Sequence, residues 1–188
     1  MKRIVIFASG SGSNAENLIK FFQNSEKGRV TLVLTNNAHA KVLDRAKTLG
    51  VPAFSFNKKA FTETNLVLDL LKSEKADLII LAGFLWKFPE YILEHYPNKV
   101  INVHPALLPK YGGKGMYGKF VHDAVVANKE TETGITIHYV NEHYDEGAII
   151  HQAKCEVLLS DNANDVAAKI HLLEMKHFPE VVSTLLNE

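Results

Sequence analysis

The chain alternates short apolar runs with longer segments in which apolar residues recur every three or four positions. "RIVIFA" (3–8), "VTLVLTN" (30–36), "VPAFSF" (51–56), "DLIILAG" (77–83) and "VINVHP" (100–105) are β-branched or aliphatic stretches bounded by turn residues. That is the pattern of strands buried on both faces of a parallel sheet. Between them, "SNAENLIKFFQN" (13–24), "AKVLDRAKTLG" (40–50) and "AFTETNLVLDLLKSEK" (60–75) carry helical spacing, with Gly50 as a C-terminal stop for the second. Strand and helix in repetition predict an α/β fold: a doubly wound, mostly parallel sheet with helices on both faces. Past residue 130 the rhythm changes. "GITIHYV" (134–140) and "GAIIHQAKCEV" (147–157) read as strands joined through "NEHYDE", and a helical segment then runs to the C-terminus. Pro179 is expected to kink or interrupt that helix.

Composition narrows the chemistry. With 188 residues, 46% of them hydrophobic, and no repeat or linker, residues 1–188 are expected to form one domain. Twenty-one basic residues balance twenty-one acidic ones, so no overall field favours nucleic acid or an anionic membrane, and small molecules are the expected partners. The single cysteine, Cys155, excludes an internal disulfide framework and points to the cytoplasm. "MKRIVIFASG" has a basic start, but its glycine arrives at once, so it reads as a first strand and not as a signal peptide. No metal is expected: the histidines lack HExxH spacing, and His138, His143 and His151 fit strand or loop surfaces. No G-x-S-x-G elbow supports a serine hydrolase.

Three stretches carry candidate chemistry. In "ASGSGSNAENL" (8–18) small residues follow a strand and open a helix, so backbone N–H groups converge at the positive end of the helix dipole. This suits a phosphate, or else a tight turn capped by Ser13 or Asn14; it is neither a P-loop nor a full dinucleotide fingerprint. In "INVHPALLPKYGG" (101–113), Asn102 and His104 share one face at the carboxyl end of a strand, where open α/β sheets place their ligands. An amide donor beside an imidazole suits stabilisation of an oxyanion together with proton transfer. In "VNEHYDEGAII" (140–150), Asp145 either forms the turn or tunes the histidine.

With these residues in hand, the chain resembles the phosphoribosylglycinamide formyltransferase family (glycinamide ribonucleotide transformylases) of the folate-dependent formyltransferase superfamily. The resemblance runs end to end through "GSGSN", "LAGFLWKFP" (81–89), "INVHPALLPKYGG" and "HYVNEHYDEGAII". It implies a Rossmann-like formyltransferase fold and transfer of a formyl group from the co-substrate 10-formyltetrahydrofolate to the amine of glycinamide ribonucleotide. It further implies His104 as proton donor, Asn102 as oxyanion ligand and Asp145 as the group favouring the charged imidazole. By the same resemblance, Gly12, Ser13 and Asn14 bind the nucleotide phosphate, and His171, Leu172, Leu173 and Glu174 form the acceptor-binding segment. Folate is expected between Leu85, Trp86, Lys87 and Phe88 on one side and Asn141, Glu142, His143, Tyr144 and Asp145 on the other, with Asn102 and Thr64 contributing. Trp86 and Thr64 stand where family members often carry arginine, and Gly115, Met116 and Tyr117 where some carry histidines. A homodimer is compatible with the resemblance. Methionyl-tRNA formyltransferases and formyltetrahydrofolate hydrolases share the central motif but normally carry a further domain. A non-catalytic nucleotide-binding module would need neither Asn102 nor Asp145.

Overall fold

The computed structural model describes residues 1–187. In chain order its strands are β1 (Lys2–Phe7), β2 (Gly28–Thr35), β3 (Ala53–Ser55), β4 (Leu78–Leu81), β5 (Val100–His104), β6 (Glu132–Tyr139) and β7 (Ile149–Glu156). The helices are α1 (Ser13–Phe22), α2 (Val42–Thr48), α3 (Lys58–Thr62), α4 (Leu66–Ser73), α5 (Glu90–His95), α6 (Lys119–Ala127) and α7 (Ala163–Leu185). One sheet takes the order β3-β2-β1-β4-β5-β6-β7. The first five strands pair in parallel and the last two antiparallel, as the change of rhythm near residue 130 predicts.

Alternation along each strand divides the core in two. In β1, Ile4 and Ile6 pack with α1, α2, α6 and α7 on one face, whereas Val5 and Phe7 pack with α3, α4 and α5 on the other. The second face contains an aromatic cluster of Phe7, Phe56, Phe61, Phe84, Trp86 and Phe88, with neighbouring ring centroids 5.0–6.4 Å apart. Buried aromatic pairs in edge-to-face geometry add to the free energy of area burial. The first strand neighbours β2 on one side and β4 on the other, which makes the carboxyl ends of β1 and β4 the topological switch point of the sheet.

Two expectations are corrected. The segment 60–75 is not one helix: α3 and α4 are separated at Glu63–Asn65, where the Tyr91 hydroxyl donates to the carbonyls of Phe61 and Thr64. Nor does Pro179 interrupt the last helix, for α7 runs unbroken from Ala163 to Leu185. Proline lacks the N–H that would bond the carbonyl four residues earlier. That carbonyl, on Met175, instead accepts from the Asn17 side-chain amide at 2.8 Å. The orphan acceptor thereby fastens α7 to α1. Sequence periodicity also passes over α5 and α6, whose apolar spacing is confined to short segments.

Asn17→Ala should therefore cost about 1 kcal/mol, the usual net worth of a hydrogen bond that is partly buried. In a Pro179→Ala background the same change should cost clearly less, because the introduced alanine supplies the missing N–H. Equal costs in both backgrounds, measured by urea unfolding, would show that the Asn17 amide does not serve the Met175 carbonyl.

Candidate active site

The loops at the switch point and the end of β5 enclose a cavity of about 710 Å³. Its walls come from residues 10–14, residues 82–85, Asn102 to Pro105, the 113–118 loop, Tyr144 and Asp145, and the inner faces of α6 and α7. A hollow of about 60 Å³ adjoins it, walled by Trp86, Lys87, Phe88, Asn141 and His143, and the two spaces share Phe84, Asn102, Tyr144 and Asp145.

Residues 8–14 are held by several anchors. The Leu85 N–H donates to the Ser9 hydroxyl at 2.9 Å, joining the loops that follow β1 and β4. Arg45 of α2 donates through Nε to the Ser11 carbonyl at 2.8 Å and pairs with Glu16 of α1. Gly12 has φ 75°, and a Cβ there would lie 2.4 Å from Val42 Cγ2, so both backbone conformation and close helix packing require glycine. Helix α1 starts at Ser13 with no side-chain cap, which leaves its first N–H groups open toward the cavity. Asn14 donates to Glu174 Oε2 at 2.9 Å, and its own Oδ1 is buried without a partner. Burial pushes the Glu174 carboxyl above the usual carboxylate range, against the opposing pull of the Asn14 amide.

Asn102 and His104 both project from β5 into the cavity. Across the antiparallel pairing, Asn102 faces His138 and His104 faces Thr136. Cross-strand partners share a face. His138, expected on a surface, is instead 2% exposed and central to the site. Its Nδ1 donates to the Tyr139 carbonyl at 2.8 Å, and its Nε2 lies 3.1 Å from the Asn102 amide nitrogen. His104, 3% exposed, donates from Nε2 to the Tyr111 carbonyl at 2.7 Å. Tyr111 is in turn fixed by its hydroxyl, which donates to Glu130 at 2.9 Å and accepts from Asn128 at 3.0 Å.

Asp145 completes the arrangement. Its Oδ2 lies 3.5 Å from His104 Nδ1 and accepts from the Gly113 N–H at 2.9 Å; its Oδ1 lies 3.6 Å from His138 Nε2. The residue has φ 57°, a conformation that aspartate tolerates in turns. Two residues on, Gly147 passes so close to Tyr139 that a Cβ would lie 1.7 Å from its carbonyl oxygen. A side chain there would push the 141–147 loop off the sheet end and carry Asp145 with it.

Two effects oppose each other at His104. Burial pushes the His104 imidazole below its ordinary value and outweighs the upward pull of Asp145 and of the Tyr111 carbonyl. Burial also opposes ionisation of Asp145, but His138, His104 and the Gly113 N–H together hold its carboxyl below the usual range. A charged His104 would have an acceptor at each nitrogen, so the geometry favours the imidazolium while burial disfavours it.

The other candidates divide. Gly12, Ser13, Asn14, Leu85, His171 and Glu174 line the large cavity, as do Gly115, Met116 and Tyr117. Trp86, Lys87, Phe88, Asn141 and His143 line the hollow. Thr64 sits in the α3–α4 break and borders neither space, and Glu142 is exposed beside His143. On α7, Leu172 is 69% exposed and Leu173 packs on the core. Reading strands singly misses His138, because pairing β5 against β6 is what brings it to Asn102.

A carboxylate, an imidazole and an amide at a sheet end, facing an uncapped helix across one cavity, suit acyl-group transfer to an anionic acceptor. The chain belongs to the formyl transferase family, which residues 2–182 match. It is 36% identical over 193 residues to the chloroplastic phosphoribosylglycinamide formyltransferase of Vigna unguiculata, covering 100% of this chain but 62% of that protein, so it spans less than two thirds of the plant relative. Against phosphoribosylglycinamide formyltransferase of Bacillus subtilis it is 34% identical, covering 99% of this chain and 95% of the relative. A crystal structure of the Anaplasma phagocytophilum phosphoribosylglycinamide formyltransferase superposes with a TM-score of 0.90 at 32% identity, covering 98% of this chain and 86% of that one.

Replacing Asp145 with Asn should lower the His104 pKa further, because desolvation stays while the carboxylate's upward pull is removed. NMR titration of the imidazole measures this directly, and an unchanged pKa would deny the coupling. The same substitution should flatten the acid limb of stability. A carboxyl held below its ordinary pKa stabilises the fold above the unfolded group's titration, and that contribution is lost as pH falls through the folded value. The parent should thus lose more stability than Asp145→Asn over that acidic interval.

Proposed function

We propose that this protein transfers the formyl group of 10-formyltetrahydrofolate to the amine of glycinamide ribonucleotide, giving formylglycinamide ribonucleotide and tetrahydrofolate in purine synthesis. The observation that carries this reading is the convergence of Asn102, His104 and Asp145 with the open start of α1 around a single cavity. The relatives' names and the family match agree with it.

In the proposed reaction the acceptor's neutral amine attacks the formyl carbon, and the carbonyl pair moves onto oxygen. Asn102 donates an amide N–H to that developing oxyanion. Contact of the same amide with His138 fixes its plane before substrate arrives. Collapse of the tetrahedral intermediate re-forms the carbonyl and breaks the bond to the folate nitrogen, which leaves with the bonding pair and takes a proton. His104 takes a proton from the attacking amine and passes it to that nitrogen; Asp145 stabilises the imidazolium in between. The 3.5 Å gap between Asp145 and His104 is longer than a direct hydrogen bond and leaves the carboxylate able to orient a proton-carrying water.

The phosphate of the acceptor is assigned to the N–H groups of residues 12–14, where charge and helix dipole reinforce each other. Glu174 and His171, which line the same cavity from α7, are assigned to its glycinamide end. The folate ring is assigned to the space between residues 84–88 and 140–145. The aromatic walls there suit a flat heterocycle, and Asp145 and Asn102 are within reach of both substrates.

Incubation with 10-formyltetrahydrofolate, with and without glycinamide ribonucleotide, tests this reading. Tetrahydrofolate should appear only with the acceptor, and release of formate without it would indicate hydrolysis instead. His104→Ala should lower kcat about 10²–10⁴-fold, and Asn102→Ala roughly 10²–10³-fold with little change in KM. Near-normal turnover by folded His104→Ala would remove this residue from the mechanism. Glycinamide ribonucleoside, which lacks the phosphate, should react with a greatly reduced kcat/KM, since phosphate binding positions the amine. Equal reactivity would take the phosphate away from residues 12–14.

A further inference from the structure

A group of side chains that borders neither the cavity nor the hollow nevertheless reaches His104. The Tyr111 carbonyl accepts from His104 Nε2 at 2.7 Å, and the phenol of the same residue extends to the turn between α6 and β6. There its hydroxyl donates to Glu130 Oε1 at 2.9 Å and accepts from Asn128 Nδ2 at 3.0 Å. Lys110 pairs with the same carboxylate, its Nζ 3.1 Å from both oxygens. The turn is rooted in α6, because the N–H groups of Asn128, Lys129 and Glu130 donate to the carbonyls of Ala124, Val126 and Val125.

The backbone of Tyr111 needs such an anchor. Its φ is 55°, in the left-handed region that a bulky residue adopts only when its surroundings impose it. Gly112 and Gly113 follow, the second at φ 95°, and two glycines leave the chain free to take many paths. Upstream, the Thr136 hydroxyl accepts from the Leu108 N–H; downstream, Asp145 accepts from the Gly113 N–H. Between these points the phenol, packed against the core and tied at its hydroxyl, governs where the Tyr111 carbonyl points.

That carbonyl can only accept. With Nε2 bonded to it, His104 keeps a proton on Nε2 whether the ring is neutral or charged, so Nδ1 is the nitrogen that changes state. Nδ1 is also the nitrogen that faces Asp145, at 3.5 Å. Were the carbonyl turned away, the neutral ring would be free to carry its proton on either nitrogen. The form already protonated on Nδ1 is unable to take a proton there from an amine.

We propose that Tyr111, through its hydroxyl, and Glu130 are positioning residues that hold His104 as the Nε2–H tautomer with Nδ1 as its reactive nitrogen. The kinetic consequence rests on the formyl transfer proposed above; the tautomer does not.

Heteronuclear NMR of the His104 nitrogens and steady-state kinetics test this on the parent, Tyr111→Phe, Glu130→Ala, Glu130→Gln and Lys110→Ala. In the parent the neutral ring should carry its proton on Nε2. Tyr111→Phe and Glu130→Ala should give a mixture of tautomers and lower kcat on the order of tenfold, with both KM values within about twofold, because alignment is lost and ground-state binding is not. Glu130→Gln keeps an acceptor for the phenol and should restore most of kcat. Lys110→Ala removes only an exposed ion pair and should match the parent. Tyr111→Phe retains the ring in the core and is the decisive variant should Glu130→Ala fail to fold. A parent ring protonated on Nδ1, or an unchanged tautomer or kcat in Tyr111→Phe, overturns the proposal. So does a rise in KM at constant kcat, which would make the clasp a support of the binding wall. Absence of formyl transfer by the parent refutes the reaction instead, and the nitrogen signals of parent and variants then decide the tautomer by themselves.

Discussion

The organisation of the site depends on one carboxylate placed between two buried imidazoles. Asp145 lies 3.5 Å from His104 and 3.6 Å from His138 and accepts the Gly113 N–H. It thereby links the ends of β5 and β6 to the loops at Gly113 and Asp145. Burying a carboxylate is costly unless it is paired, and the two histidines and the Gly113 N–H offset that cost. Gly147, by permitting close approach to the Tyr139 carbonyl, supplies the backbone geometry for that closure. The proton chemistry assigned to His104 and the orientation assigned to Asn102 are consequently two results of one electrostatic arrangement.

The sheet positions this arrangement by topology. Reversal of strand order between β1 and β4 opens a crevice, and antiparallel addition of β6 beside β5 closes one side of it with His138 and Thr136. Thr136, fully buried, donates to the Ala106 carbonyl and accepts from the Leu108 N–H and the Gln152 amide, which fixes the loop leaving His104. On the opposite side, Arg45 and Ser9 hold residues 9–12 against α2 and the β4 loop. Rigid elements thus carry both ends of the cavity, which is what the proposed alignment of an acceptor amine with a formyl donor requires.

Much of this is legible in the sequence because it follows from local periodicity. Alternation in "VINVHP" puts Asn102 and His104 on one face, and the apolar runs give the parallel strands. What the sequence hides is set by contacts distant in the chain. His138 becomes a site residue only through its register with Asn102, a pairing across 36 positions. Pro179 reads as a helix breaker until Asn17, on α1, is seen to take the abandoned carbonyl. The net direction of the His104 shift follows from burial by loops whose packing no single motif encodes.

The aromatic cluster has an optical consequence. Trp86 is the one tryptophan in the chain, and it packs among Phe56, Phe61 and Phe84 while its half-buried side lines the hollow next to Asn102 and Asp145. Phenylalanine rings absorb too weakly to obscure an indole. The protein's long-wavelength emission therefore originates at the wall of the candidate site, and the molecule carries an intrinsic fluorophore whose colour and brightness register whether that hollow is wet or filled.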